Sequence, residues 1–203
     1  MTLSTEQGLP SWLANGTVLQ GGALAAQGQG EAGITQLRQG LAHRATGEEV
    51  GRPYFLALLA EAYGRGGQAE EGLTVLAEAL LAVNKTEERW CEAELYRLKG
   101  TLTLQQFNVQ GSTFKVADPR PLTPDPQAEA DAEACFLKAI DIARQQSAKS
   151  WELRAVMSLS RLWQQRGKKA EAHDLLSEIY NWFTEGFDTK DLQDAKALLE
   201  ELA

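Results

Sequence analysis

The sequence predicts an all-α protein made of antiparallel helix pairs, and two observations lead to that prediction. Apolar residues recur at three- and four-residue intervals through most of the 203-residue chain, which is the spacing of amphipathic helices. A glycine turn also recurs, since Gly67 follows Gly28 by 39 residues and Gly167 stands in the same setting. Repetition at such a period is typical of helical-repeat proteins, in which every hairpin of helices needs its own turn.

The three copies of the turn share the residues around the glycine as well. A large apolar residue stands four positions before it, a small residue five positions after it and an aliphatic residue nine positions after it. These are, in order, Leu24, Tyr63 and Trp163; Gly33, Gly72 and Ala172; and Leu37, Leu76 and Leu176. We expect each glycine to end the first helix of a pair in a left-handed conformation. The small residue then lets the second helix approach the first closely.

Residues 28–33, GQGEAG, also match the dinucleotide-binding fingerprint G-x-G-x-x-G. That fingerprint works only where a buried strand enters the glycine turn, because strand and helix together aim backbone N–H groups at a pyrophosphate. Here the preceding residues, TVLQGGALAAQ, are rich in alanine and carry apolar residues at helical intervals. The sequence therefore predicts a turn between two helices and no nucleotide site.

The helix pairs are expected to follow one another along a single domain of residues 1–203. We expect helices at 10–27 and 30–46, 52–66 and 68–84, 87–106 and 127–146, and 149–166 and 168–183, with a capping helix at 189–202. Near the end of the chain, Gly186 is expected to end one helix and Asp188 to cap the next, with Asp191 in its first turn. The capping helix has one apolar stripe, which would cover the core at the end of the array.

Residues 107–127 are expected to form a loop between the helices of the third pair. Four of the six prolines of the chain fall in this segment, and proline disrupts a helix interior. Two interpretations remain open: a mobile excursion between helices, or a lid or docking segment that carries Phe107 and Phe114.

Charge and composition disfavour several classes of function. Acidic residues outnumber basic ones by 28 to 20, which disfavours nucleic acid as a partner. No signal-peptide pattern opens the chain and no apolar run approaches the roughly 20 residues that span a bilayer, so we expect a cytoplasmic protein that binds no membrane. Cys91 and Cys135 lack the spacing of a metal site and are expected to stay reduced. The first helix has apolar residues on several faces, from which we expect a fragment of a longer chain.

No catalytic, cofactor or metal motif stands in the sequence, so we expect a protein that is not an enzyme. His43 and His173 each stand without a second histidine nearby on a predicted second helix. This is typical of solvated or packing histidines rather than of ligands. An acidic cluster near the C-terminus lacks the ligand spacing of a calcium loop, and helix capping explains it better. Its members are Glu185, Asp188, Asp191 and Asp194.

The tryptophans are expected to serve mainly in packing. Trp163 occupies a repeated core position, and Trp151 and Trp182 flank the last helix pair. The pattern does not decide the roles of Trp12 and Trp90.

The order of large and small residues resembles the tetratricopeptide repeat. The matching positions are Leu56, Leu59, Ala60, Tyr63, Gly72, Leu76 and Ala79 in the second copy; Ala132, Phe136 and Ala139 in the third; and Val156, Leu159, Ser160, Trp163, Ala172, Leu176 and Ile179 in the fourth. The resemblance implies a tetratricopeptide-like right-handed superhelix of about four antiparallel helix pairs with a C-terminal capping helix.

In such a superhelix the first helices line a concave face, and the resemblance implies which residues bind a partner there. Carried over position by position, they are Tyr54, Glu61, Arg65, Arg97, Arg154, Met157, Arg161, Gln164 and Gln165. The helix predicted at 149–166 carries a charge of about +3, which favours acidic or carboxylate-bearing partners because arginine binds them bidentately. The alternative is that these arginines pair with neighbouring glutamates.

Four stretches resemble a more specific family, the C-terminal helical region of large bacterial signalling proteins. They are GRPYFLALLAEAYG, EAELYRLKG, AKSWELRAVMSLSRLW and WFTEGFDTKDLQDAKALL. In that family a class III nucleotide cyclase or a DNA-binding domain precedes a regulatory P-loop ATPase and tetratricopeptide-like repeats. The cyclase and ATPase motifs are absent from this sequence, so the resemblance implies a regulatory role and neither activity.

Two functions remain open. The first is a non-catalytic interaction and sensor module that binds a protein or peptide, with the upstream ATPase, cyclase or DNA-binding domains of a parent protein as further partners. The second is a domain that senses a small anionic metabolite, held by Arg154, Arg161 and their neighbours.

Overall fold

A computed structural model of the protein describes residues 10–44, 50–113 and 125–203. Within these ranges the chain forms nine helices and no strand. The helices are α1 (Pro10–Ala26), α2 (Gly30–Arg44), α3 (Arg52–Arg65), α4 (Ala69–Thr86), α5 (Glu92–Thr113), α6 (Pro126–Gln145), α7 (Lys149–Gln165), α8 (Lys169–Tyr180) and α9 (Lys190–Leu202). The prediction of an all-α protein is confirmed. None of the helices in these ranges combines the length and apolar character that crossing a bilayer requires.

The recurring glycine turn is confirmed in all three copies. Gly28, Gly67 and Gly167 have φ angles of 86°, 75° and 75°, a left-handed conformation that glycine adopts with little strain. After each glycine, the next backbone N–H donates a hydrogen bond to the carbonyl of the large apolar residue four positions before it. These bonds join Gln29 to Leu24 at 3.0 Å, Gln68 to Tyr63 at 2.9 Å and Lys168 to Trp163 at 2.9 Å. Because α1 leads into Gly28, the GQGEAG segment joins two helices, as predicted.

The small residue after each turn is needed for close packing of the helix pair. A Cβ atom at Gly33 would lie 2.7 Å from the backbone nitrogen of Ala25 and 2.7 Å from the carbonyl oxygen of Gly21. Both neighbours are backbone atoms, so they cannot move aside as the end of a flexible side chain could. The close approach of α1 and α2 therefore depends on glycine at this position.

The third helix pair differs from the prediction at both ends of its first helix. α5 begins at Glu92, five residues later than expected, because Glu87 ends α4 in a left-handed conformation with φ of 60°. α5 also continues to Thr113, so the prediction that the helix ends at residue 106 is wrong. The physical reason is that the prolines of this segment begin only at Pro119, and nothing before them forces the helix to stop. Residues 114–124 of the expected loop, including Phe114, lie outside the described residues, and its last residues, Pro126 and Gln127, belong to α6.

The chain divides into two compact units. The first comprises the described residues up to Cys91 and the end of α5 from Asn108, and the second comprises Glu92–Phe107 and the chain from α6 onward. In the first unit α1 packs on α2 and α3, and α3 packs on α4. In the second unit α7 packs on α6, α8 and α9. The single domain spanning the whole chain stays a prediction.

The residues predicted for the repeat core are buried in both units. The aliphatic position nine residues after each glycine is closed to solvent, with exposures of 0% for Leu37, 1% for Leu76 and 0% for Leu176. In the third pair Phe136 is 1% exposed and packs against Gly100 of α5. Trp163 is only half-buried, and its indole Nε1 donates a hydrogen bond of 2.7 Å to the carboxylate of Glu133.

The segment before the capping helix corrects three sequence predictions. α8 ends at Tyr180, three residues before the expected end at 183, and the residue that caps α9 is Thr189 rather than Asp188. Trp182, expected in the core, follows the end of α8 and is 57% exposed. The apolar stripe of α9 is confirmed, and its buried members are Leu192, Ala195, Leu198 and Leu202.

Candidate functional site on α7

α7 has an apolar face in the core of the second unit and a polar stripe on the opposite side. Leu153, Val156 and Leu159 are each at most 1% exposed. The polar residues recur at intervals of three and four, which places them on one side of the helix. We call this set the α7 stripe: Arg154, Ser158, Arg161, Gln164 and Gln165.

Arg154, at the start of the α7 stripe, is held by residues from two other helices. Its Nε donates a hydrogen bond of 2.6 Å to Oδ2 of Asp191 in α9, and its Nη1 lies 3.9 Å from Oε1 of Glu94 in α5. The guanidinium also stacks over Trp151, 5.2 Å from the ring centroid. The side chain nevertheless remains 41% exposed. Arg154 is therefore oriented by its neighbours and still accessible from solvent.

Arg97 lies in the same part of the second unit but is engaged with Glu94 of its own helix. Nε and Nη2 of Arg97 donate to the two carboxylate oxygens of Glu94 at 2.7 and 2.6 Å. The side chains are only 15% and 6% exposed, so this is a bidentate pair with little access to solvent. Its geometry makes Arg97 a poor candidate for direct contact with a partner.

The positive charge expected on this helix is largely compensated. Lys149 donates to Glu152 at 2.7 Å, and Arg166 binds Glu129 at 2.6 Å and also Glu133. The pair of Arg154 and Asp191 adds to these contacts. They agree with the alternative stated in the sequence analysis, that the arginines of this helix pair with neighbouring carboxylates of the same chain. Arg161 differs, because it is exposed and forms no ion pair with any described residue.

The remaining predicted residues of α7 divide between surface and core. Gln164 is half-buried and Gln165 exposed, so both belong to the α7 stripe. Met157 is 5% exposed and packs in the core of the second unit. The structure thus brings Arg154, Arg161 and the two glutamines onto one surface and leaves Met157 beneath it.

Three predicted residues lie in the first unit. Tyr54 is half-buried, with its ring centroid 5.1 Å from that of Trp90 and 6.0 Å from that of Phe55. Glu61 accepts a hydrogen bond of 2.9 Å from Arg65, one turn further along α3. The opposite charges of Glu61 and Arg65 therefore offset each other on this helix.

No group of three or more histidine, cysteine, aspartate or glutamate side chains in the described ranges could hold a metal ion. The acidic cluster expected to cap α9 is divided, because Asp191 binds Arg154 and Asp194 binds Lys190. Glu185 and Asp188 stay exposed. Helix capping does not explain why these two acidic residues stand here, because the N-cap residue of α9 is Thr189 and not Asp188.

Two buried or half-buried glutamates of the second unit have lowered pKa values. Burial raises the pKa of Glu152, but hydrogen bonds from Arg144 and Lys149, each 2.7 Å long, outweigh it and lower the pKa. Burial likewise raises the pKa of Glu133, and its hydrogen bonds with Trp163 and Arg166 reverse that effect. In both cases the folded protein favours the ionised carboxylate.

These lowered pKa values predict a loss of stability in acid. A carboxyl with a lower pKa in the folded state contributes stability above the pKa of an unfolded glutamate, about 4.3. That contribution disappears as the pH falls from there through the folded pKa. We expect the free energy of unfolding, measured by urea denaturation from pH 6 down to about pH 3, to fall less steeply for Glu152→Gln and for Glu133→Gln than for the wild type. If the free energy of unfolding falls with pH as steeply in both variants as in the wild type, the lowered pKa values of Glu152 and Glu133 are contradicted.

Sequence reasoning missed the residues that orient the predicted arginines. Glu94 could have been found, because it stands three residues before Arg97 on the same helix. Trp151 could have been matched to Arg154 in the same way, because it stands three residues before it on α7. Asp191 could not, since its contact with Arg154 depends on how α9 packs on α7. Asp191 was predicted only as a residue of the first turn of α9.

The comparisons with known proteins bear on the fold. No protein-family profile matches the chain, and no curated protein matches it. Two similar solved structures show nearly identical TPR-like repeats of a kinesin light chain-like protein from Podosopora anserina. Each is 17% identical to this chain with a TM-score of 0.62, and the match covers 95% of this chain and 85% or 86% of the solved one.

The fold is tetratricopeptide-like. The sequence prediction of tetratricopeptide-like helix pairs is thereby confirmed, including the large and small positions around the recurring turn. At this level of identity the likeness concerns the fold alone. Within the tetratricopeptide-like second unit, the α7 stripe remains the surface on which predicted arginines and glutamines come together.

Proposed function

We propose that the protein is a non-catalytic interaction module that binds an acidic protein segment on the α7 stripe. The observation that carries the proposal is Arg161, an exposed arginine with no carboxylate partner among the described residues. The other arginines described in the second unit, Arg97, Arg144, Arg154 and Arg166, are bound to carboxylates. An arginine fork that is not engaged within its own chain is suited to a carboxylate from a partner.

Arg154 and the glutamines extend this site along the helix. Arg154 is seven residues before Arg161, which separates them by roughly 10 Å along the helix axis at 1.5 Å per residue. Only Nε of Arg154 lies within hydrogen-bond distance of Asp191, and its nearest approach to Glu94 is 3.9 Å. Gln164 and Gln165 add amide donors and acceptors beside Arg161. An extended peptide with two carboxylates about three residues apart would match this spacing, at ~3.3 Å per residue.

The exposure of Arg161 favours a protein segment over the alternative, a small anionic metabolite. Small-molecule sites are usually concave and bury most of the ligand. An arginine as exposed as Arg161 offers a metabolite little burial, whereas a peptide gains contact along the whole α7 stripe.

Charge reversal of Arg161 tests the proposal. We expect Arg161→Glu to weaken binding of a fluorescein-labelled peptide of glutamate and glycine by at least tenfold, measured by fluorescence anisotropy at low ionic strength, because a charge-assisted contact is replaced by repulsion. Lys138→Glu is the matched control, since it makes the same charge change at an exposed position of α6. Equal losses for the two variants would show a general charge effect and would count against the site. Binding of citrate but not of the peptide would favour the metabolite alternative.

We further propose that this module regulates a larger cytoplasmic signalling protein. The support is the resemblance of four stretches to the C-terminal repeats of bacterial signalling ATPases, in which a cyclase or DNA-binding domain and a P-loop ATPase precede the repeats. The partners would then include those domains. Determining the coding sequence upstream of Met1 tests this proposal, and an upstream region without a P-loop would contradict it.

A further inference from the structure

The segment between α8 and α9 exposes two aromatic rings. Trp182 is 57% exposed and Phe187 is 47% exposed. Each ring is anchored on one side, since Trp182 contacts Phe183 edge to face at 5.2 Å and Phe187 lies 5.8 Å from Tyr180. We call residues 182–188 the aromatic loop. Large exposed aromatic rings in a defined conformation are typical of interaction surfaces.

The conformation of the aromatic loop is fixed by hydrogen bonds at both ends. At its start, the backbone N–H of Trp182 donates to the carbonyl of Ile179 at 3.2 Å. At its end, the backbone N–H and the hydroxyl of Thr189 both donate to the carbonyl of Gly186, at 2.9 and 2.7 Å. A surface ordered in advance loses little conformational entropy when a partner binds.

The charges around the exposed rings point to a basic partner. Glu185 and Asp188 lie within the aromatic loop, are exposed, and form no ion pair with any residue that the structure describes. One face of Trp182 already contacts a cation of this chain, because Nζ of Lys149 lies 5.6 Å from the ring centroid. Aromatic rings flanked by carboxylates attract lysine and arginine through both cation–π and ionic contacts.

We propose that the aromatic loop docks a basic protein segment, in which lysine or arginine side chains alternate with apolar ones. The apolar side chains would cover Trp182 and Phe187, and the basic ones would pair with Glu185 and Asp188. A second copy of this chain is a poor occupant, because each copy carries a net charge of −8. This surface and its partner are separate from the α7 stripe, so each can fail without the other.

Binding of a basic peptide tests the aromatic loop directly. The probe is a short fluorescein-labelled peptide of arginine, leucine and glycine, and its control has citrulline in place of arginine. We expect the full-length protein to bind the arginine peptide, and Trp182→Ala to weaken that binding at least tenfold. Glu185→Gln combined with Asp188→Asn should weaken it about fivefold. The matched controls are Trp12→Ala, which removes a tryptophan that is 67% exposed, and Glu171→Gln combined with Glu200→Gln, which makes the same charge change.

A nuclear magnetic resonance titration distinguishes docking on the aromatic loop from general electrostatic attraction and from misfolding of the variants. The indole N–H signal of Trp182, assigned by its loss in Trp182→Phe, should move on addition of the arginine peptide while that of Trp12 stays in place. Equal binding of the citrulline peptide, or equal losses for the Trp182 and Trp12 variants, would overturn the proposal. So would a dimer in sedimentation velocity that Trp182→Ala abolishes, because the surface would then join two copies of the chain.

Discussion

Replacing Phe136 with alanine is expected to lower the free energy of unfolding by about 3–5 kcal/mol. Phe136 is 1% exposed and belongs to the core of the second unit. Its ring fills the space beside Gly100 of α5, where an added Cβ atom would lie 2.6 Å from Cε1 of the ring. Because the backbones on both sides are helical and can close in only partly, removal of the ring leaves a cavity. Urea denaturation followed by circular dichroism measures the loss.

A double-mutant cycle with Gly100 checks that the loss comes from this contact. In the wild type, Gly100→Ala should cost about 1–3 kcal/mol, because the new methyl group overlaps the ring of Phe136. In the Phe136→Ala background the same change should cost less, since the overlap with the ring is gone and only the close approach to the carbonyl oxygen of Ala132, 3.0 Å from the added Cβ, remains. Equal costs in the two backgrounds would show that the two residues do not contact each other.

Replacing Leu76 with alanine is expected to lower the free energy of unfolding by about 2–5 kcal/mol. Leu76 is 1% exposed and stands nine residues after Gly67, at the repeated aliphatic position of the first unit. The loss of stability has two parts: the transfer free energy of the removed atoms and the free-energy cost of the cavity that they leave. Urea denaturation of the full chain gives its size.

Leu81→Ala provides the matched control on the same helix. The change in chemical composition is identical, but Leu81 is 70% exposed, so almost no buried surface is lost. We expect a change within about 0.5 kcal/mol. If both variants unfold at the same urea concentration, the helical register in which Leu76 faces the core is wrong.

The repeat pattern predicted most of the fold because it records local requirements. A left-handed turn requires glycine at Gly28, Gly67 and Gly167, and a close helix pair requires a small residue at Gly33. Both requirements can be recognised in a single copy and verified in the next. The end of α5 could not be predicted in this way, because Phe107 and its neighbours carry no strong signal for or against a helix.

The candidate site was predictable only in part. The spacing of Arg154, Arg161 and Gln165 placed them on one side of α7, as the structure has them. The same spacing placed Met157 on that side, four residues before Arg161, but Met157 is 5% exposed and packs in the core of the second unit. Packing against other helices, which helical spacing does not record, therefore decided its burial. Which arginine remained without a carboxylate depended on residues elsewhere in the chain.

The sequence by itself determined the helix pairs, their glycine turns and the buried positions, because these depend on residues close together along the chain. Only the tertiary structure decided that Asp191 engages Arg154 while Arg161 stays exposed, and that Trp182 lies at the surface. Hydrogen bonds and ion pairs between helices act over a few ångströms between residues far apart in sequence. Their partners are therefore fixed by packing, which no local pattern records.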